Sequence, residues 1–116
     1  MARRMHLRKG DRVVFVGDSI TEQRMYTNEV EAYLVQRFPR LNLTFFNAGW
    51  AGDTAAGGSR RLERDILALR PTVVTVCYGM NDGGYGYTPV STVAANFRRH
   101  LTDIVWRLRR RGVRVV

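Results

Sequence analysis

Short apolar runs alternate along this chain with longer segments of helical periodicity. Three of the runs, each bounded by turn residues, predict buried strands at 13–16, 44–46 and 73–78. The last five residues, 112–116, predict the beginning of a fourth strand. Because strands that alternate with helices are typical of a parallel sheet covered on both faces, we predict an α/β fold. The strand order 2-1-3-4 would follow the rule for doubly wound sheets.

Two of the intervening helices are predicted from their periodicity and from the proline that follows each. The first covers about 28–37 and the second about 59–69, ending before Pro39 and Pro71 respectively. Their apolar stripes are Val30, Tyr33, Leu34 and Phe38 in the first helix, and Leu62, Ile66 and Leu69, facing inward, in the second.

The third predicted helix has the clearest periodicity. We expect Thr88 to cap it, Pro89 to occupy its first turn and Gly112 to end it. Trp106 lies nearly opposite the apolar stripe, so it would stack on Arg110 one turn along or pack on a partner. The stripe comprises Val90, Val93, Ala94, Phe97, Leu101, Ile104, Val105 and Leu108.

A polar or glycine-rich segment follows each of the first three strands. These segments are 17–21 (Gly-Asp-Ser-Ile-Thr), 47–54 (Asn-Ala-Gly-Trp-Ala-Gly-Asp-Thr) and 79–82 (Gly-Met-Asn-Asp). Since an open α/β sheet builds its site outside the carboxyl ends of its strands, we expect the segments to meet at one edge. They would bring together a hydroxyl, a glycine turn and a carboxamide, with the loop 82–88 at the rim.

In order and spacing, the three segments resemble three sequence blocks of the SGNH (GDSL-type esterase and lipase) family. The likeness runs from about Arg12 to Val116 and implies a flavodoxin-like, three-layer α/β/α sandwich with a parallel sheet. The family's fourth block, Asp-x-x-His near its C-terminus, has no match here. We therefore expect a basic tail at 1–9 and an incomplete, truncated domain at 10–116. The alternative is a short natural chain that is completed by dimerisation.

The resemblance implies a role for three residues. Ser19 matches the nucleophile, and Gly52 and Asn81 match donors of the oxyanion hole, to which the backbone N–H of Ser19 would be added. The implied reaction is hydrolysis of a carboxylic ester through an acyl-enzyme. Taken singly, Ser19 could be a helix N-cap, and Gly52 and Asn81 could be ordinary turn residues. The polar residues expected to organise the loops are Asp18, Asn47, Asp53, Thr54 and Asp82.

No general base is evident among the two histidines. His6 precedes the first strand and so lies at the opposite edge of the sheet, while His100 lies roughly 18 Å down the third helix from the catalytic edge. Because a serine hydroxyl without a base is a poor nucleophile near neutral pH, we predict that this chain alone is nearly inactive. A non-catalytic binding module, or a pseudoenzyme that keeps the pocket, is the alternative function.

Charge adds a further candidate partner. The formal net charge is +9, and eighteen of the nineteen basic residues are arginine. A basic face can attract nucleic acid or anionic lipid, but no recognisable nucleic-acid motif accompanies it, so we expect no specific nucleic-acid partner. The family's substrates include acetylated sugars, lysophospholipids and simple esters. Trp50, Tyr85 and Tyr87 suit a sugar ring or a short acyl chain and do not choose between them. We expect a short-acyl O-ester because nothing in the sequence suggests a long hydrophobic channel; homo-oligomerisation stays open.

The remaining expectations are absences and one cysteine. No run is long enough for a transmembrane helix, and the first ten residues lack the apolar core of a signal peptide, which predicts a cytoplasmic protein even though family members are often exported. Neither metal-ligand spacing nor a phosphate-binding glycine loop is found, so we expect no metal and no cofactor. Cys77 is the only cysteine, and we expect it to be a small buried hydrophobe.

Overall fold

The computed structural model describes residues 7–116 and contains a four-stranded parallel sheet in the order 2-1-3-4, as predicted. The strands are β1 (Arg12–Gly17), β2 (Thr44–Gly49), β3 (Val73–Cys77) and β4 (Arg114–Val115). The register places Gly17 beside both Gly49 and Cys77. The first three strands therefore end at the same level, which is the edge where the three polar segments begin.

Within residues 7–116, four α-helices lie between successive strands: α1 (Ser19–Glu22), α2 (Met25–Arg37), α3 (Ala55–Arg61) and α4 (Val90–Arg110). Helical turns at 62–66 and 67–69 extend α3, so its helical region ends where the sequence predicts. It begins four residues earlier than predicted because the Thr54 hydroxyl caps it by accepting a hydrogen bond from the Gly57 N–H at 3.2 Å. The short helix α1 is not predicted by periodicity.

One face of the sheet carries the main core. Side chains alternate along a strand, so Val14 and Val16 of β1 point to the face on which α3 and α4 pack. Leu62 and Ile66 are fully buried there, as predicted. The buried members of this core are Val14, Val16, Leu62, Ile66, Val74, Ile104, Leu108 and Val113.

The other face of the sheet, built on Val13, Phe15 and Val73, is only partly covered. Tyr26 of α2 meets the edge of the Phe15 ring, and Phe45 stacks beside that ring at 6.1 Å. An apolar groove of about 390 Å³ remains open on this face. The predicted apolar stripe of the first helix is consequently not buried as a unit: Leu34 is half-buried, but Val30, Tyr33 and Phe38 are exposed.

Two expectations about single residues are wrong. Cys77 is exposed rather than buried, because it ends β3 on the groove side of the sheet, where the described residues provide no cover. Thr88 does not cap the third helix: Pro89 holds the N-cap position in an extended conformation, with ψ at 137°, so α4 begins at Val90.

The C-terminal half of α4 agrees closely with its prediction. Ile104 and Leu108 are fully buried, whereas Val90 and Ala94 at the other end of the stripe are exposed. Gly112 ends the helix at φ +74°, and the Val113 N–H donates back to the Leu108 carbonyl at 3.1 Å. The Arg110 guanidinium stacks over the Trp106 ring at 4.5 Å, which confirms that contact. Across residues 7–116, no helix combines the length and the apolar character needed to cross a membrane.

Candidate active site

The turn after β1 presents Ser19 as the first residue of α1. The helix is capped by Asp18, whose Oδ1 accepts a hydrogen bond from the Ile20 N–H at 3.0 Å. Asp18 thus organises the loop, as predicted, and the N-cap alternative for Ser19 is excluded because Asp18 occupies that position. Ser19 is half-buried, and within residues 7–116 its hydroxyl makes no hydrogen bond.

The glycine turn after β2 is bonded directly to the Ser19 turn. The Trp50 N–H donates to the Gly17 carbonyl at 3.0 Å, and the Asp53 N–H donates to the Trp50 carbonyl at 3.1 Å. Between them, Gly52 has φ +78°, a left-handed conformation that favours glycine. The hydrogen bond from Trp50 to Gly17 therefore joins the turn that contains Gly52 to the turn that contains Ser19.

The segment after β3 is bonded to the same glycine turn. Nδ2 of Asn81 donates to the Asp53 carbonyl at 2.9 Å, and the Tyr85 hydroxyl donates to Oδ1 of Asn81 at 3.1 Å. These two bonds fix which end of the amide carries the donors and leave one N–H of Nδ2 for a ligand. Oδ1 of Asp82 accepts from the Ala55 N–H at 3.0 Å, so Asp82 fixes a loop, as predicted.

Asn47 organises the loops from the end of β2, also as predicted. Its Nδ2 donates to the Thr21 carbonyl at 2.7 Å and to the Thr27 hydroxyl at 3.1 Å, while its Oδ1 accepts from the Gly49 N–H at 3.0 Å. One carboxamide thus joins β2 to both α1 and α2, behind Ser19.

A buried ionic cluster that periodicity does not reveal lies behind the glycine turn. Arg61 donates from Nε to Oδ2 of Asp53 at 2.9 Å, and both side chains are 9% exposed. The Tyr78 hydroxyl donates to the same carboxylate oxygen at 2.7 Å. Arg61 Nη2 donates to the Ala48 carbonyl at 2.7 Å and to the Tyr78 oxygen at 3.1 Å, with a longer contact of 3.4 Å to the Gly17 carbonyl.

The sequence does carry a signal for this cluster: two consecutive glycines inside a predicted helical region. A Cβ at Gly57 would overlap Oδ1 of Asp53, and a Cβ at Gly58 would lie 2.5 Å from the Tyr78 hydroxyl oxygen. The glycine pair in α3 therefore provides the space in which the carboxylate and the phenol meet Arg61.

Burial and the neighbouring Asp53 carboxylate keep Tyr78 protonated. Burial and the hydrogen bond to Asp53 raise the pKa of Tyr78 well above its ordinary value. Burial alone would lower the pKa of Arg61, but its interactions with Tyr78 and Asp53 outweigh burial and raise that pKa. The phenol therefore acts as a donor, and the guanidinium stays charged, at any physiological pH.

Neither histidine is placed beside Ser19. His6 lies outside the described residues. His100 is on α4, where it lines a cavity together with Ser59, Asp103 and Trp106. Within residues 7–116, no three His, Cys, Asp or Glu side chains form a group that could hold a metal ion.

A second cavity, of about 360 Å³, lies beside the glycine turn, between Trp50 and the arginines of α3. Trp50 is 63% exposed at its mouth. The residues lining this cavity are Trp50, Asp53, Gly57, Arg60, Arg61 and Arg64. Tyr85 and Tyr87 are exposed on the loop that follows Asn81.

Comparisons of sequence and of structure both find similarity to esterases and related acylhydrolases. The model of the GDSL-like lipase/acylhydrolase family matches residues 15–116. An acetylxylan esterase from Geobacillus stearothermophilus is 30% identical over 93 residues, which are 67% of this chain and 42% of that protein. The chain thus spans less than half the length of this curated relative.

Two solved structures illustrate the similarity in fold. A gut microbial diltiazem-metabolizing enzyme superposes with a TM-score of 0.82 at 32% identity, covering 93% of this chain and 26% of that one. A catalytic mutant of an acetylxylan esterase from G. stearothermophilus, in which a histidine is replaced by alanine, gives 0.83 at 24% identity, covering 96% and 60%. Further catalytic mutants of that esterase replace an aspartate three positions before the histidine, and a serine. With its family model matched over most of its length, the chain belongs to the GDSL-like lipase/acylhydrolase family.

Proposed function

We propose that the protein containing this chain is a serine ester hydrolase in which Ser19 is the nucleophile and Gly52 and Asn81 supply the oxyanion hole. One observation carries the proposal: the three segments are bonded to one another, through Trp50 N–H to the Gly17 carbonyl and through Asn81 Nδ2 to the Asp53 carbonyl. A hydroxyl, a left-handed glycine and an amide donor are thereby held at one sheet edge. Family membership supports the same chemistry.

The mechanism follows from these positions. The Ser19 hydroxyl attacks the ester carbonyl while a base takes its proton, and the carbonyl oxygen becomes an oxyanion. The N–H groups of Ser19 and Gly52 and the remaining N–H of Asn81 Nδ2 stabilise that oxyanion; each such donor is typically worth about 3 kcal/mol. The alcohol leaves, and water then hydrolyses the acyl-Ser19 ester to regenerate the hydroxyl.

The base for Ser19 is proposed to come from outside residues 7–116. The catalytic mutants of the related esterase replace a serine, an aspartate and a histidine, the last two spaced as Asp-x-x-His. That spacing does not occur in this sequence. The 116-residue chain by itself is therefore predicted to turn over esters very slowly, because Ser19 lacks a group that accepts its proton.

The substrate is proposed to be a short-acyl O-ester, such as an acetylated sugar. Two observations support this class: the similarity to an acetylxylan esterase, and the cavity beside the glycine turn with Trp50 exposed at its mouth. An aromatic face next to polar side chains suits the apolar and hydroxyl surfaces of a sugar ring.

Labelling with a fluorophosphonate probe tests the proposal. Two samples are compared, the 116-residue chain and the longest product expressed from its natural locus, each as wild type and as Ser19→Ala. We expect only the longer product to be labelled, and Ser19→Ala to abolish labelling. Ser91→Ala, an exposed serine on α4, is the matched control and should label like wild type. If neither wild-type product is labelled, the non-catalytic binding module becomes the better explanation.

A further inference from the structure

The guanidinium of Arg61 contacts two of the three segments of the candidate site and the residue that immediately precedes the third. It reaches the Gly17 carbonyl before Ser19, the Ala48 carbonyl in β2 and, through Asp53, the glycine turn that contains Gly52. Its contact with the Tyr78 oxygen extends the cluster to the residue that follows β3, three residues before Asn81. In the described residues no other side chain is bonded to the ends of β1 and β2 and to the residue after β3 together.

The placement of Arg61 indicates that it orients neighbouring groups rather than only stabilising the fold. A buried ion pair gains little net stability, because desolvation of the charges offsets much of their attraction. Rigid planar guanidinium groups are instead well suited to fixing several acceptors at defined angles. Here the acceptors are two main-chain carbonyls at the ends of β1 and β2, a carboxylate in the glycine turn and the phenol of the residue that follows β3.

We propose that Arg61 is the positioning residue of the oxyanion hole, acting through Asp53 and Tyr78; this rests on the proposed ester hydrolysis. The Asp53 side chain is held by Arg61 and Tyr78, and the Asp53 carbonyl holds Asn81 Nδ2. Gly52 immediately precedes Asp53, so one residue ties both proposed donors to the cluster. Arg61 itself does not contact Ser19 and takes no part in the chemical step.

The expected effect is on the rate of the chemical step rather than on binding. Oxyanion donors work when they are aimed in advance at the position where charge develops. A misplacement of about 1 Å can cost on the order of a hundredfold in rate. Loosening the cluster should therefore lower kcat while leaving KM nearly unchanged.

Arg107 provides a matched control because it also bonds to a main-chain carbonyl and a carboxylate, but these belong to α3 and α4 rather than to the strand ends. It donates to the Ser59 carbonyl at 2.8 Å and to Oδ2 of Asp103 at 3.2 Å, joining α3 to α4. Arg61→Lys and Arg107→Lys each keep a positive charge while removing the fork of donors. Tyr78→Phe removes one hydroxyl from the cluster and retains its bulk.

The test measures acetyl ester hydrolysis by the longest product of the natural locus. We expect Arg61→Lys to lower kcat about ten- to hundredfold with KM within about twofold, Tyr78→Phe to lower kcat less, and Arg107→Lys to leave both constants within about twofold. An Arg61→Lys protein with wild-type kcat, or an Arg107→Lys protein with the same loss of kcat, would overturn the assignment.

Amide hydrogen exchange keeps the test independent of activity. We expect Arg61→Lys and Tyr78→Phe to speed exchange at Trp50 and Asp53, whose N–H groups lie in the glycine turn, and Arg107→Lys to leave those sites unchanged. Unchanged exchange in both cluster variants would refute the positioning role. A wild-type protein that neither hydrolyses esters nor reacts with fluorophosphonate would refute the proposed function instead, and exchange would then decide the positioning role alone.

Discussion

The two faces of the sheet differ in how fully they are covered. On one face, α3 and α4 pack over β1 and β3, and Val14, Val16 and Val74 have no exposed surface. On the other, α2 covers Phe15, but a groove stays open beside Val73 and Cys77. All-parallel sheets are ordinarily buried on both faces. The apolar residues on the groove side of the sheet are therefore less covered than is usual for a parallel sheet. The face packed against α3 and α4, here called the closed face, should contribute most of the stability of this chain.

The largest effect is expected on the closed face, from Ile104→Ala. Ile104 is fully buried within the main core, so its truncation removes apolar contacts and leaves a cavity. We expect the free energy of unfolding to fall by about 2–5 kcal/mol, measured by urea denaturation. A loss below about 1 kcal/mol would show that this face is less tightly packed than its burial implies.

The next effect concerns the junction between the closed face and the candidate site. Alanine in place of glycine usually stabilises a helix by about 1 kcal/mol. At Gly58 the added methyl group would meet the Tyr78 ring and hydroxyl, so we expect Gly58→Ala to destabilise the fold by about 1–3 kcal/mol. Thermal unfolding gives the sign of the change, and an increase in Tm would contradict the tight contact.

A smaller effect is expected from pH at the α3–α4 contact. The hydrogen bond from Ser59 lowers the pKa of Asp103; burial opposes this, and Arg107 adds to the lowering. Because the folded-state pKa lies below the unfolded value, the contribution to stability is present above the unfolded pKa and is lost as pH falls through the folded one. At neutral pH it should amount to about 1 kcal/mol, since the carboxylate is partly exposed.

Asp103→Asn checks this contribution. Unfolding is measured between about pH 6 and about pH 2, where carboxylates titrate. The difference in stability between wild type and variant should shrink as pH decreases. A difference that stays constant would mean that the charge of Asp103 contributes nothing.

The smallest effect is expected on the open side, from Tyr33→Ser. Tyr33 lies on α2 with 62% of its surface exposed, so its replacement should change the stability of the 116-residue chain by less than about 0.5 kcal/mol. The same substitution in the longest product of the natural locus sharpens the comparison. A loss above about 1 kcal/mol in that product would show that additional polypeptide covers α2 at Tyr33.

Much of the fold could be predicted from sequence because its signals are local. The strands are short apolar runs, each ending at a turn residue, and the alternation with helices determines the parallel order. The loop-organising roles of Asp18 and Asn47 involve hydrogen bonds to backbone N–H groups two residues along the chain, whereas Asp82 bonds to the more distant Ala55 N–H. These roles could be predicted because Asp and Asn side chains that follow a strand commonly form hydrogen bonds with the backbone of the turn.

The features that the sequence predicted wrongly, or did not predict, depend on contacts between segments that are distant in the chain. The apolar stripe of α2 predicts burial, but it cannot show which residues are available to cover it. Cys77 is the last residue of β3 and still lies exposed, because the cover on its side of the sheet is incomplete. The Arg61 cluster joins Gly17, Asp53 and Tyr78, which periodicity treats as unrelated; the glycine pair in α3 was its only local sign.

The register of the sheet determines how the turns of the candidate site are aligned with one another. Gly17, Gly49 and Cys77 stand side by side, and the polar turns start directly after them. A slip of one residue between β1 and β2 would displace the glycine turn by about 3.3 Å, which is longer than a hydrogen bond, and would turn every β2 side chain to the opposite face. The hydrogen bonds between the strands thus set the spacing between the proposed nucleophile and its proposed donors. A change in strand pairing would disrupt the site even if none of its residues were substituted.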